Sequence, residues 1–262
     1  MKRTEIFALF KYFTIRKTLN FFKLYSSFLI SKTLKSSHIS GMPLALSLEP
    51  TTACNLGCPE CPSGLKKFTR KTGNLTTSLN KKIIDELKHN LSYINYYFQG
   101  EPYINPNFFE FISYANSKKI FCSTSTNGHF LNDSNCEKTI KSGLKRLIIS
   151  IDGNDQKTYE EYRKNGEYKK VIKGTKNILK WKKKLNSQFP HVIFQFLVVK
   201  TNEHLVNEMK ELTASLGVDE LRIKTAQFYN FKNGNKLMPE NEKYNRYVKT
   251  KSGEYKLKNK MF

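Results

Sequence analysis

From Leu44 to Lys224, short apolar runs alternate with segments of helical period, and no other feature narrows the fold as far. The runs predict strands at Leu44–Leu48, Tyr93–Gln99, Ile120–Thr126, Arg146–Ile151, Val192–Val199 and Glu220–Lys224. Between them the pattern predicts helices at Leu79–Leu87, about Asn107–Lys118, Asn132–Ser142, a long stretch Gln156–Lys184, and Glu203–Leu216. In the first of these, Ile83, Ile84 and Leu87 share one face. Strict alternation at this spacing implies an α/β class with a parallel sheet and right-handed crossovers, helices outside. Six units suit either a doubly wound sheet or a partial barrel, and in both the function sits at the carboxyl ends of the strands. A glycine-rich phosphate loop after the first strand would mark a dinucleotide fold, and this chain has none there.

The segments flanking residues 41–226 differ in character. In residues 1–40, Phe7, Phe10, Phe13, Phe21, Leu24, Tyr25 and Phe28 recur at roughly helical spacing among lysines, which predicts one or two basic amphipathic helices. Such helices suit an anionic membrane surface, or they cover apolar surface of the main domain. The number of phenylalanines needing burial favours the second. Ser36–Gly41 reads as a linker, and residues 227–262 are polar, basic and without a clear period.

Lys and Arg total 45 against 22 Asp and Glu, a net charge of +23. That balance raises nucleic acid and anionic membranes as partners. Only seven of the cations are arginine, and the lysines are spread along the chain, so a solvated lysine surface is expected and a nucleic-acid partner is not. Apolar residues at 39% and aromatics at 13% exclude a disordered tail. No run approaches the ~20 uncharged apolar residues of a membrane span. The opening MKRTEIFALFKYF is interrupted by Lys11, then by Arg16, Lys17 and Lys23, with no small-residue cleavage site after it, so the expected compartment is the cytoplasm.

Five cysteines, three of them within eight residues, make no disulfide framework and suggest metal or redox chemistry. The loop after the first strand reads Glu49-Pro50-Thr51-Thr52-Ala53-Cys54-Asn55-Leu56-Gly57-Cys58-Pro59-Glu60-Cys61. Three thiolates spaced C-x3-C-x2-C can close on one small polynuclear centre, with Gly57 and Pro59 shaping the turn. A structural zinc needs a fourth ligand, and no neighbouring Cys or His offers one. An iron–sulfur cube on three cysteines keeps one iron open. Zinc and reactive thiols remain the competing readings.

Cys54, Cys58 and Cys61 after the first strand, Gly100-Glu101-Pro102 after the second, Thr126-Asn127-Gly128 closing the third, and Ile149-Ser150-Ile151-Asp152-Gly153 closing the fourth together resemble the radical S-adenosylmethionine (SAM) superfamily. The Cys-Asn-Leu-x-Cys-Pro-x-Cys loop and the Ser-Ile-Asp-Gly strand end look like its SPASM-type branch, which includes peptide-modifying enzymes and sulfatase maturases. The resemblance implies a partial (β/α)6 TIM-like barrel with a 4Fe–4S cluster on Cys54, Cys58 and Cys61 and SAM on the open iron. It also implies reductive cleavage of SAM to methionine and a 5′-deoxyadenosyl radical that abstracts hydrogen from a peptide, protein or small-molecule substrate, with flavodoxin or ferredoxin as the kind of reductant. By the same resemblance, Gly100 lets the backbone approach the methionine. Glu101 offers a carboxylate near its amino group. Ser150 and Asp152, two apart, face one side and reach ribose or carboxylate oxygens. Asn127 and Gly128 form the turn over the ligand, Arg163 suits the SAM carboxylate, and Gln195 or Val198 lines the adenine side. His129, His191 and His204 have no partners at ligand spacing and read as structural.

Gln99 stands where the family often has another glycine, and Glu60 where an aromatic often meets the adenine. SPASM-type enzymes continue into a cysteine-rich module, whereas no cysteine follows Cys136 here. The expectation is therefore a truncated or split member, or one working without auxiliary clusters. Two other readings stand beside catalysis: a degenerate homologue that binds SAM or a partner without turnover, and a basic nucleic-acid-binding protein with a structural metal.

Overall fold

The computed structural model describes residues 11–258. Among these residues a helix α1 (Ile15–Leu34) comes first, its amino end capped by Thr14. Then follow β1 (Ala45–Ser47), α2 (Thr77–Leu87), β2 (Tyr93–Asn95), α3 (Phe108–Ser117), β3 (Phe121–Thr126), α4 (Asp133–Lys141), β4 (Arg146–Ser150), α5 (Gln156–Tyr162), α6 (Tyr168–Lys184), β5 (His191–Val198), α7 (Val206–Leu216) and β6 (Glu220–Thr225). A closing antiparallel hairpin pairs β7 (Tyr247–Lys249) with β8 (Tyr255–Leu257).

The first six strands form one sheet in chain order, each neighbouring pair parallel. A doubly wound sheet reverses its order at a switch point. No reversal occurs, so right-handed crossovers carry every helix to the same side and the sheet curls into an open partial barrel. Of the two architectures the alternation allowed, the chain adopts the barrel.

Period-two alternation then sorts the strand side chains. Ile94, Cys122, Leu147, Ile149, Val192, Phe194 and Phe196 join Phe111, Ile112, Ile178 and Met209 in the main core between sheet and helices. The alternate positions face the barrel interior. Near the amino ends of the strands, the Arg146 guanidinium lies over the Tyr93 and Phe121 rings, 5.8 and 5.6 Å from their centroids, and donates to the Tyr93 hydroxyl. That packing fills the interior below, and the residues left open lie at the carboxyl ends.

Three expectations need correction. β2 ends at Asn95: the Tyr96 amide still bonds the Ser123 carbonyl of β3 at 2.8 Å, and beyond it the chain turns until Gln99 meets the cysteine loop. The helical stretch 156–184 breaks between Tyr162 and Tyr168, where Asn165 takes a left-handed φ of 63°. The Asn165-Gly166 pair is the breaker.

Helix α1 also departs from expectation. Phe7 and Phe10 lie outside the described residues, but from Ile15 onward the helix does not cover the domain with its aromatics. Its inward side is polar: the Lys17 ammonium donates to the Lys119 carbonyl, and Asn20 bonds both the amide and the carbonyl of Met42, each at 2.8 Å. Burial, with Lys119 nearby, pulls the Lys17 ammonium down to about 8. Phe21, Phe22, Tyr25 and Phe28 are all exposed.

Residues beyond β6 carry more order than their composition predicts. Phe228, Met238 and Tyr247 pack with Leu56, Cys58 and Tyr162 in a second small core, and Phe231 stacks on Tyr247 at 4.6 Å. The C-terminal extension therefore closes against the cysteine loop.

Candidate active site

The cysteine loop follows β1 at the carboxyl end of the sheet and is pinned from three directions. The Glu101 amide donates to the Ala53 carbonyl at 2.8 Å. The Gly57 amide donates to the Lys164 carbonyl at 2.9 Å, so the break between α5 and α6 is an anchor for the loop. From the C-terminal extension, Asn235 donates to Glu60 at 2.9 Å and the Tyr229 amide to its other oxygen at 3.4 Å. Glu60 thus faces the extension rather than the cavity.

Cys54, Cys58 and Cys61 line one cavity of about 260 Å3, together with Gly100, Glu101, Asn127, Ser150, Arg163 and Gln195. Cys122 and Cys136 are buried in the main core, away from it. Burial pushes the Cys54 thiol up to about 11 and raises Cys58 as well, against the pull of Arg163. A metal at these sulfurs would displace their protons.

Among the described residues, no three His, Cys, Asp or Glu side chains converge on a position for a single metal ion. One zinc draws every thiolate to ~2.3 Å from a common centre. A four-iron cube instead spreads three thiolates over three irons. Three thiols around one shared cavity match the donor set of such a cube.

Of the other expected residues, Ser150 and Gln195 line the cavity, whereas Val198 is fully buried in the main core and Leu197 lines the cavity in its place. Gly100 does lack room for a side chain, but its close neighbour is the protein itself. A Cβ there would sit 2.1 Å from the Thr51 carbonyl oxygen, and φ is +75°. Glu101 lies at the cavity wall with its carboxylate turned inward. One oxygen accepts from the Thr126 hydroxyl at 2.8 Å and the Tyr103 amide at 3.3 Å, the other from the Asn127 amide at 2.7 Å. It braces the ends of β2 and β3, rather than standing free for an amino group. Its carboxyl is pushed up to about 7 by burial, against those three hydrogen bonds.

Asp152 departs furthest from expectation. It follows the end of β4, is fully buried, and does not line the cavity. Its carboxylate pairs with Arg163 Nε and accepts from the Leu197 amide at 2.7 Å. Arg163 reaches the cavity and directs Nη1 to Cys58 Sγ, 3.9 Å away. Burial works against its cation, but Asp152 and then Cys58 outweigh that and keep it protonated. Asp152, Arg163 and Cys58 form a chain in which a buried carboxylate aims a guanidinium at the Cys58 sulfur.

Asn127 extends the pattern to Cys54. Its amide nitrogen donates to Asn55 at 2.7 Å and lies 3.9 Å from Cys54 Sγ. Gly128, at φ +83°, makes the turn that places it. His129 ties this turn to α6, its Nε2 accepting from the Glu167 amide at 2.8 Å, a structural part as expected. For Cys61 the partner is Gln99, whose Oε1 lies 3.5 Å from Sγ and also accepts from Ser63 at 3.1 Å. Each cysteine sulfur is thus met by one polar side chain from a different part of the chain. In sequence Gln99 stands out only as a family departure, and no motif singles out Ser63, Tyr162 or Phe98. The strand–loop position of Gln99 was the available signal.

The sequence matches the radical SAM superfamily over residues 48–193. It is 29% identical to the AdoMet-dependent heme synthase of Methanosarcina barkeri over 68% of this chain and 49% of that protein. It is 24% identical to the PqqA peptide cyclase of Bradyrhizobium diazoefficiens over 80% of this chain and 54% of that protein. The chain thus spans about half the length of these curated relatives. In fold it is similar to Streptococcus suis SuiB bound to S-adenosylmethionine, with a TM-score of 0.62 and 17% identity over 81% of this chain and 47% of that one. SuiB has also been solved with its precursor peptide SuiA. With a parallel partial barrel, three cysteines around one cavity at its carboxyl end and the superfamily match across more than half its length, this chain belongs to the radical SAM superfamily.

Proposed function

We propose that this chain holds a 4Fe–4S cluster through Cys54, Cys58 and Cys61, cleaves SAM, and modifies a peptide substrate. The observation that carries the reading is the placement of three thiols around one cavity, each with its own polar neighbour. When bound, the cluster would supply one electron to the SAM sulfonium, giving methionine and a 5′-deoxyadenosyl radical that takes a hydrogen atom from the substrate. The protein's own part is positional. Arg163 and Asn127 present N–H groups to two thiolates, Glu101 fixes the Asn127 turn from below, and Ser150 and Gln195 offer hydrogen bonds along the cavity wall for a polar ligand. Phe98, 73% exposed at the cavity rim, offers an apolar contact to an incoming substrate.

Peptide as substrate class is supported by the peptide named with the PqqA cyclase and by the SuiA-bound SuiB structure. A small-molecule substrate is the second reading, favoured by the heme synthase relative. A flavodoxin or ferredoxin would suit as reductant, and a cytoplasmic setting fits the free thiols. Among the described residues no helix is long and apolar enough to cross a membrane.

The test is anaerobic. Reconstituted protein, reduced and given SAM, is expected to form 5′-deoxyadenosine, with none above background in Cys58→Ala. Deuterium passing from a labelled peptide into 5′-deoxyadenosine would fix the substrate class. Equal product from the wild type and Cys58→Ala would overturn the reading.

A further inference from the structure

Helix α1 is amphipathic in the reverse of the usual sense for a surface helix, which turns its apolar stripe inward. Its buried residues are Lys17, Asn20 and Ser27, and the first two are fixed to the barrel and to Met42 by the hydrogen bonds described above. On the opposite side, at helical spacing, stand Ile15, Leu19, Phe22, Leu29 and Ile30, between 43 and 82% exposed. This stripe runs for about 22 Å at 1.5 Å per residue. Isolated exposed apolar residues need no explanation, but five along one side of a docked helix, interrupted at mid-length by Ser26, mark a surface that something covers.

The charges around the stripe indicate what covers it. At 100° per residue, Arg16 and Lys23 flank it on one side and Lys32 on the other. Between Glu5 and Glu49 the sequence contains no Asp or Glu at all, so no carboxylate of this segment opposes them. An exposed apolar face with Arg16 and Lys23 along one side and Lys32 set among Phe21, Tyr25 and Phe28 on the other, with no anion, matches a helix lying in the headgroup layer of an anionic bilayer: the apolar side chains enter the acyl boundary and the cations meet phosphates. The polar side is already occupied by the barrel, which fixes the orientation. From Phe28 to Leu34 every helix residue except Ser31 is exposed, leaving the second half of α1 clear of the barrel to lie flat.

We infer that α1 seats this protein on an anionic phospholipid surface through Ile15, Leu19, Phe22, Leu29 and Ile30. The inference is independent of the radical chemistry.

The test uses the full chain and vesicles of phosphatidylcholine with or without phosphatidylglycerol, read by co-sedimentation. The wild type is expected to bind the anionic vesicles. The charge-neutral double substitution Leu19→Gln/Phe22→Gln should weaken that binding by about 100-fold, since two apolar side chains lose their partial burial. Both residues are exposed, so its melting temperature should match the wild type. Lys176→Gln/Lys183→Gln, on exposed positions of α6, removes two charges elsewhere and should change binding by less than about threefold. Unchanged binding by the Leu19/Phe22 variant would show that lysines alone attract the lipid, and would overturn the inference. So would no binding to anionic vesicles, or an equal loss in the α6 control. A wild-type dimer that the Leu19/Phe22 variant converts to a monomer would overturn it too, by assigning the face to a second copy.

Discussion

Gly100→Ala is expected to fold its barrel yet fail to load iron. The added Cβ would stand 2.1 Å from the Thr51 carbonyl oxygen and 2.9 Å from that of Ala53, and both obstacles are backbone of the cysteine loop. No flexible side chain can give way, and φ of +75° adds a left-handed penalty of ~1–2 kcal/mol for any L side chain. The loop must move, and with it goes the bond from the Glu101 amide to Ala53 that seats it. A loss of about 3 kcal/mol or more is expected, in the range of special backbone positions. Gly73→Ala is the internal control, because a Cβ there meets nothing within 4 Å and φ is not in the left-handed range. It should be near neutral or slightly stabilising. Iron per chain and thermal unfolding read both, and full iron loading by Gly100→Ala would refute the packing argument.

Removing Asp152 should be comparably severe for a different reason. Asp152→Ala leaves the mostly buried Arg163 cation, 15% exposed, without its carboxylate and leaves the Leu197 amide without its acceptor. Breaking one side of a buried pair costs about 3–5 kcal/mol, since the remaining charge has been desolvated for nothing. Replacing both partners, as Asp152→Ala/Arg163→Met, should recover about half or more of that loss. What the double variant should not recover is the N–H directed at Cys58. Stability and cluster spectrum are thus expected to part company: the melting temperature returns while the reduced cluster's spectrum stays altered. If both return together, Arg163 is only a packing element.

The barrel was legible because β/α alternation is a property of pattern, and six crossovers of one hand leave few arrangements. The three thiols were legible because their spacing lies within one loop. The roles of their neighbours were less so. The family resemblance implies ligand-facing roles for Asp152 and Glu101, yet both carboxylates turn to protein donors. A sequence shows that a carboxylate stands near a site, but only three-dimensional packing shows that Leu197, Thr126 and Asn127 present N–H and O–H groups to it first. The inversion of α1 was hidden for a similar reason. Aromatic residues at helical spacing imply burial only if the helix turns that face inward, and Lys17 and Asn20 hold it the other way. The extension beyond β6 gave no period because its contacts come from scattered aromatics, Phe228, Phe231 and Tyr247, folding back over the cysteine loop.

The most direct test of the account is electron paramagnetic resonance of the reduced, reconstituted chain before and after SAM is added, with iron and sulfide counted in the same samples. The account predicts four irons per chain, a spectrum that changes when SAM is added, and loss of the signal in Cys58→Ala. Zinc bound at the cysteines, or a cluster whose spectrum ignores SAM, would contradict it.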